Sequence, residues 1–321
     1  MTDVKHIVSI SGGKDSTALL LLAIERGIDF EAVFADTGHE HPDTYDYVAY
    51  LAEATGVPIR WVRQDFTGML RSKRRYVARQ WEMDLVNEGW PAWQARERVM
   101  SAIAVLQPTG IPFLDLCLAK GRFPSTRARF CSQELKHEAI WQQIKEPAID
   151  AGYEVVSWQG VRADESRARA DAAPIEDVGG GMWNYRPLLD WTAEDVFEMH
   201  RRHGIAPNPL YTQGMGRVGC MPCIHASKAE LRTIAARFPE EIARVEEWER
   251  MVAQASKRGR STLFAADKTP GEHNQDHSLP MPGVWEVVEW SRTSRGGRQY
   301  DMLAETGGDV PACSSIYGLC E

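Results

Sequence analysis

Three short apolar runs, residues 4–10, 30–35 and 57–62, alternate with two stretches of helical pattern, 17–26 and 44–55, which are halted by Gly27 and Gly56. A strand followed by a helix and another strand pairs in parallel, with helices covering the faces of the sheet, because the crossover is too long for a hairpin. The order therefore predicts an α/β fold, a Rossmann-like parallel sheet flanked by helices. Residues 71–107 read as helical and carry Trp81, Trp90 and Trp93, and residues 154–160 return to strand. Thr192 and Asp195 have the spacing of a capping box, opening a helix that runs through His200. Residues 229–257 read as helix, and 256–283 are polar with scattered Gly, Pro and His, the pattern of a mobile loop. The final segment has one strand-like run, VWEVVEW, and then a turn-rich tail. At 321 residues the chain exceeds the usual single core of ~100–200 residues. Residues 1–235 are read as the α/β domain and 236–321 as a helical and irregular C-terminal extension with a cysteine-containing tail.

No stretch has the pattern of a signal peptide or a membrane span, so a cytoplasmic protein without membrane contact is expected. A formal charge of −8 argues against a uniformly basic, nucleic-acid-coating surface. Two runs depart from it. Residues 60–79 hold seven Lys or Arg against one Asp, with aromatics between them, and KGRFPSTRAR at 120–129 leads straight to Cys131. Such runs either track a polynucleotide backbone or form the solvated face of a helix. The six cysteines, 117, 131, 220, 223, 313 and 320, are too few for a disulfide scaffold of this size and read as ligands or reactive thiols.

The join between the first strand and first helix, SISGGKDSTALLLL, concentrates anion-binding chemistry. Unpaired N–H groups and the helix dipole favour an anion there, glycines allow close approach of the backbone, Lys14 adds a point charge, and Ser11, Ser16 and Thr17 add hydroxyls. The spacing is neither Walker A nor GxGxxG. A phosphate is the expected occupant. Asp36, at the end of the second strand, places a carboxylate near the crevice mouth, where it can meet nucleotide or metal; taken alone, Asp36, Thr37 and Gly38 read rather as a turn with His39 and His41 exposed. Arg162, in GVRADES, can fork onto a phosphate or acyl oxygen, with Glu165 and Ser166 orienting it or binding metal.

SGGKDS resembles the PP-loop of the N-type ATP pyrophosphatases, which cut ATP between the α and β phosphates and transfer AMP to an oxygen. The resemblance implies that Ser11, Gly12, Gly13, Lys14, Asp15 and Ser16, with Thr17 beside them, hold the phosphates of ATP with Mg2+. FADTGHEHPDTYDYV, residues 34–48, is similar to the DTG segment of the phosphoadenosine phosphosulfate (PAPS) reductase superfamily. The likeness continues through residues 160–166, with Gly160, Arg162 and Glu165, and through 183–211. Many true reductases carry a degenerate loop; the intact SGGKDS favours ATP use.

GCMPCIH sets Cys220 and Cys223 at CxxC spacing, which suits a thioredoxin-like dithiol, half a zinc site or a share of an iron–sulfur cluster. Superfamily members with a 4Fe-4S cluster, among them assimilatory adenylylsulfate reductases and the ATP pyrophosphatase of DNA phosphorothioation, pair an R-x-C-x-x-x-x-K region with a downstream CxxC. Cys131, Cys220 and Cys223 match three ligand positions. The reductases' adjacent Cys-Cys is Cys131-Ser132 here, so the fourth ligand is expected in the tail, Cys320 ahead of Cys313. The competing role for a tail cysteine is a swinging thiol or persulfide carrier. Cys117, in LDLCLA, reads as a buried small residue.

The resemblance implies an ATP-dependent adenylating enzyme with catalytic Lys14, Asp15 and Arg162, which activates an acceptor, a nucleotide or nucleic acid, for sulfur transfer. A sulfur-donor protein such as a cysteine desulfurase and a homo-oligomeric state belong to that expectation. A thiol-dependent reductase of adenylylsulfate or its 3′-phosphorylated form is the alternative, and an ATP-sensing or scaffold subunit without turnover is the alternative of another class.

Overall fold

The computed structural model describes residues 3–264 and 282–293, together with Tyr317 and Leu319. Six strands, β1 (Val4–Ile10), β2 (Phe30–Ala35), β3 (Ile59–Val62), β4 (Glu154–Trp158), β5 (Ile175–Gly179) and β6 (Met182–Tyr185), form one sheet in the order β3-β2-β1-β4-β6-β5. Every neighbouring pair is parallel except β5 with β6. Central β1 is apolar because both its faces are covered. Val8 and Ile10 point into a core shared with the helices Lys14–Glu25 and Pro42–Thr55 and with Val196 and Met199. Their neighbour Ile7 points the other way, to Val33, Val155, Ile144 and Ala148, as the two-residue period of a strand requires. The expected Rossmann-like sheet is thus observed.

A third and larger core lies beside the sheet. It joins the helices Thr67–Tyr76, Ala92–Val105 and Pro112–Lys120 to Lys228–Arg237, Pro239–Ala255 and Val284–Ser291. Cys117 is fully buried within it, as the LDLCLA pattern indicated.

Several local readings change. The helical stretch at 71–107 breaks between Asn87 and Ala92, where Gly89 takes φ 93° and Pro91 precedes the next helix. Trp81 is buried, whereas Trp90 and Trp93 are exposed. The stretch at 229–257 divides at Phe238–Pro239. VWEVVEW is helix, not strand: Val284, Val287, Val288 and Ser291 are its buried positions, at helical spacing. The hairpin of β5 and β6 was not anticipated. The polar loop is described only to Phe264, and residues 265–281 of it, like the turn-rich tail apart from Tyr317 and Leu319, lie outside the described residues. No described helix is long and apolar enough to cross a membrane.

Candidate functional site: a nucleotide cleft with a cysteine rim

From β1 the chain builds outward through β2 to β3, then returns to place β4 on the other side of β1. The strand order therefore reverses between β1 and β4, and a crevice opens at their carboxyl ends. Residues 11–16 leave β1 there and residues 159–162 leave β4. Two glycines allow close packing here, Gly12 against the helix Pro42–Thr55 and Gly160 against the first segment. Gly12 has φ 74°, and a Cβ on it would lie 2.7 Å from the Thr44 Cγ2 atom; a Cβ on Gly160 would lie 3.2 Å from the carbonyl oxygen of Asp15. The crevice is a cleft of about 810 Å³.

The turn is held from inside and from behind. Ser16 Oγ accepts from the Ser11 N–H at 3.1 Å and donates to the Gly13 carbonyl at 2.9 Å. Thr17 Oγ1 donates to the same carbonyl at 3.1 Å. Three side chains between residues 200 and 211 strap the backbone: Asn208 Nδ2 donates to the Gly12 carbonyl at 3.1 Å, His200 Nε2 lies 3.0 Å from the Lys14 carbonyl, and the Lys14 N–H donates to the Tyr211 hydroxyl at 2.9 Å. Burial lowers the His200 pKa, so the ring is neutral and Nε2 carries the proton that the carbonyl accepts. Gly13 supplies no side-chain cap to the first helix, leaving its positive end toward the cleft. The sequence alone did not single out His200, Asn208 or Tyr211; they lie in the 183–211 stretch that carried the resemblance, but nothing local marks them as loop supports.

Lys14 is only 5% exposed and Arg162 only 4%. Asp15 joins them: Lys14 Nζ lies 2.7 Å from Asp15 Oδ2, and Arg162 Nε lies 2.7 Å from Asp15 Oδ1. The second contact is close but misaligned, because neither Asp15 Oδ1 nor Arg162 Nε has a true hydrogen-bond partner. Arg162 Nη1 also meets Asp164 Oδ2 at 2.7 Å. The cleft wall holds six basic side chains against three acids, Asp15, Glu40 and Glu165, so its field is positive although the chain is acidic. Glu165 forms an ion pair with Arg169 there. The structure therefore gathers Ser11, Gly13, Lys14, Asp15 and Ser16, with Gly160, Arg162 and Glu165, around one opening, while the expected Gly12 and Thr17 are not part of its lining.

Asp36 is placed differently. It accepts from the Gly38 N–H at 2.8 Å and the Tyr45 hydroxyl at 2.9 Å, with Arg63 Nε at 3.6 Å, and the cleft wall does not include it. Its carboxylate shapes the turn after β2. Glu40, four residues on, lines the cleft instead. His39 and His41 are buried rather than exposed. His39 stacks on Phe113 with ring centroids 4.3 Å apart, and burial drives its pKa down to about 3.

Buried Glu40 connects the cleft to the cysteines. Its Oε1 lies 3.7 Å from Cys220 Sγ and 3.8 Å from Lys136 Nζ, and its backbone bridges that of Cys220. Cys131, Cys220 and Cys223 all act electrostatically on Lys136, which they and Glu40 hold above its usual pKa. The thiols expected to share a ligand set thus all act on one ammonium group. Among the described residues, no three His, Cys, Asp or Glu side chains already stand in metal-ligating arrangement. Cys313 and Cys320 lie outside the described residues. The tail does reach the cleft: the ring of Tyr317 sits 5.6 Å from Lys14 Nζ, and its hydroxyl donates to the Gly216 carbonyl at 2.7 Å.

Comparison with known proteins agrees with this geometry. A protein of Escherichia phage 186, an uncharacterised 37.8 kDa product, is 52% identical over 325 residues, spanning 98% of this chain and 96% of that one. Phosphoadenosine 5′-phosphosulfate reductase of Vibrio vulnificus is 23% identical over 214 residues, 67% of this chain and 64% of the relative. Adenosine 5′-phosphosulfate reductase of Allochromatium vinosum is 38% identical over a shorter match of 68 residues, 21% of this chain and 27% of the relative. The family model of the phosphoadenosine phosphosulfate reductase domain matches residues 5–226, which contain all of the sheet but Val4, the glycine turn and the CxxC. The chain belongs to the phosphoadenosine phosphosulfate reductase domain family.

Proposed function

We propose that the cleft binds ATP and that the protein is an ATP pyrophosphatase-type adenylating enzyme, which activates an acceptor for sulfur transfer. The observation that carries this reading is the intact SGGKDS turn, strapped open at the switch point with Lys14 and Arg162 buried against it. An acceptor oxygen attacks the α phosphorus, the bond from that phosphorus to the bridging oxygen breaks, pyrophosphate leaves and the acceptor's proton passes to solvent. The chain's part is positioning and charge neutralisation. Lys14 and the first-turn N–H groups receive the β and γ phosphates, and Arg162 stands opposite, on the β4 side. Asp15 Oδ1, close to Arg162 but without a hydrogen bond, is the carboxylate suited to hold Mg2+. When bound, Mg2+ offsets the charge gathering on the leaving pyrophosphate.

The donor set also fits a 4Fe-4S cluster in kind, which Cys131, Cys220 and Cys223 would hold with Cys320 or Cys313 as fourth ligand. A bound cluster supplies electron or sulfur chemistry at the rim of the cleft. Lys136 and Glu40 connect that rim to the phosphate loop. The sulfur itself comes from a donor protein such as a cysteine desulfurase or from a tail persulfide.

The test is anaerobic incubation with labelled ATP and candidate acceptors. Pyrophosphate and an adenylated acceptor are expected; release of ADP and orthophosphate alone overturns the mechanism. Iron and labile sulfide lost in Cys220→Ala support the cluster, and stoichiometric zinc in the native protein rejects it. A second reading, a thiol-dependent reductase of adenylylsulfate or its 3′-phosphorylated form, is favoured by the two reductase relatives and by Tyr317, three residues before Cys320, lying in the cleft. Sulfite formed from those substrates without ATP identifies it.

A further inference from the structure

A second cavity, of about 1090 Å³, lies away from the nucleotide cleft, and none of its lining residues belongs to the cleft. Three segments distant in sequence build it: the helix Thr67–Tyr76, residues 119–125 at the end of Pro112–Lys120, and residues 255–264. Its lining includes Lys73, Lys120, Arg122, Lys257, Arg258 and Arg260 and no Asp or Glu. In a chain of net charge −8 this is a concentrated positive surface. The acids that touch it approach from outside the lining, Glu134 on Lys120 at 2.7 Å, and Glu88 at 2.6 Å and Asp84 at 3.4 Å on Lys257. Lys73 donates to the Leu118 carbonyl at 2.8 Å. Arg122 and Arg258 have no acidic partner among the described residues, and the Arg122 guanidinium rests 5.7 Å from the Phe130 ring centroid.

Apolar surface is interleaved with the charge. Tyr76 is 54% exposed and Met69 41% exposed, although both line the cavity, and Phe123 and Phe264 are buried in its wall. The wall is anchored: Arg98 donates to the Gln254 carbonyl at 3.0 Å, and Glu249 accepts from the Leu263 N–H at 2.8 Å. A compact anion needs a few convergent donors, not cations spread along three segments. Charges tracking a chain of phosphates with exposed rings between them are the means by which proteins hold single strands. Duplex DNA, with its bases stacked inside, gives Tyr76 and Met69 nothing to contact.

We propose that this groove binds single-stranded nucleic acid, with Arg122 and Arg258 on phosphates and Tyr76 stacking on a base. One wall leads toward the chemistry: from Lys120 and Arg122 the chain continues through Arg127 and Arg129 to Cys131, and Glu134, the partner of Lys120, precedes the cleft-lining Lys136 by two residues. Binding here goes beyond the ATP reading and holds whichever nucleotide reaction the cleft performs.

The experiment is fluorescence anisotropy of the full chain with labelled oligothymidylate, without nucleotide, across a salt series. Saturable binding that weakens steeply with salt is expected. Arg122→Gln with Arg258→Gln should weaken it at least about tenfold and flatten the log–log salt slope by about 0.7 per lost phosphate contact. Tyr76→Ala should weaken binding at unchanged slope, and Tyr76→Phe should restore it. Unchanged affinity in the double variant, equal affinity for the matching duplex, or equal competition by heparin, which has no bases, overturns the proposal. ATP binding and melting temperature of the same variants serve as fold controls. Because the assay contains no ATP, failure here and failure of the pyrophosphatase reading are separate outcomes.

Discussion

At the carboxyl edge of the sheet four of the six wall cations are met by acids in the wall itself: Lys14 and Arg162 by Asp15, Lys136 by Glu40, Arg169 by Glu165. In the groove beside Thr67–Tyr76 the lining carries only basic charge. Cations countered within the wall keep fixed positions and suit a ligand of one shape with its own metal ion, whereas Arg122 and Arg258, without an acidic partner among the described residues, tolerate many positions along a polymer. The cleft should therefore depend on backbone geometry and the groove on ionic strength.

The largest expected effect breaks the cleft alone. Alanine at Gly12 must adopt φ near 74°, which costs about 1–2 kcal/mol. Its Cβ also meets Thr44 Cγ2 at 2.7 Å, an overpacking worth about 1–3 kcal/mol more. Calorimetry should show ATP affinity reduced by more than ~30-fold while oligonucleotide binding is kept. Thr44→Ser, which removes the clashing methyl, should recover part of the loss and not all of it. Normal ATP binding by Gly12→Ala would mean that the turn does not carry the ligand.

Lys14→Ala comes next. Losing a charged donor to phosphate costs about 1.5–3 kcal/mol, or ~10–150-fold in ATP affinity. Arginine should not restore it, because a side chain 5% exposed beside Tyr211 and Tyr317 leaves no room for a planar fork. Equal affinity in Lys14→Ala would move the phosphates elsewhere in the cleft.

A pH-dependent contrast is expected at the groove wall. Glu249 accepts from the N–H groups of Leu263 and Val284, both at 2.8 Å, and burial, opposed by those bonds, raises its pKa from 4.5 to about 7. A raised folded-state pKa means that the folded protein holds the proton more tightly than the unfolded chain. The contribution is full below pH 4.5 and fades as pH climbs toward about 7. Glutamine mimics the protonated acid, so thermal melts of wild type and Glu249→Gln should lie closest at acidic pH and separate by a few degrees as pH rises through that window, wild type becoming the less stable. A gap that is flat with pH would show that Glu249 does not titrate there.

The parts legible in the sequence were those where function and local structure coincide. Residues 11–16 announce themselves because a glycine turn between an apolar strand and a leucine-rich helix is contiguous, and β1 and β2 have the expected limits. The hairpin was not legible: Ile175 to Gly179 is exposed throughout, so no buried face imprints a period on it, and Gly179, Gly180 and Gly181 form its turn at positive φ. Val284–Ser291 misled through its β-branched and aromatic residues, since packing against Lys228–Arg237 and Pro239–Ala255 outweighs propensity. Asp36 and Glu40 illustrate the limit at the site. Both follow β2, and only the fold reveals that Asp36 is consumed by the turn while Glu40 turns back to meet Cys220 and Lys136. The groove was legible as two basic runs, but its third wall lay in a segment read as loop, and only packing against Arg98 brings it round.

The smallest effect probes how the loop is held. Tyr211 is buried, its ring packs edge-on against Phe197 at 6.0 Å, and its hydroxyl receives the Lys14 N–H. Phenylalanine keeps the ring and removes only the acceptor, so the apolar packing should survive. A neutral hydrogen bond is worth about 1 kcal/mol, which predicts a three- to tenfold loss in ATP affinity, roughly, as the Lys14 backbone relaxes from its strap. The opposite sign is informative. If the hydroxyl competes with phosphate for that N–H, Tyr211→Phe will bind ATP more tightly, and the strap is then a stand-in for ligand, not a support. Oligonucleotide affinity should be unaffected in either case, because no residue of the groove touches this bond.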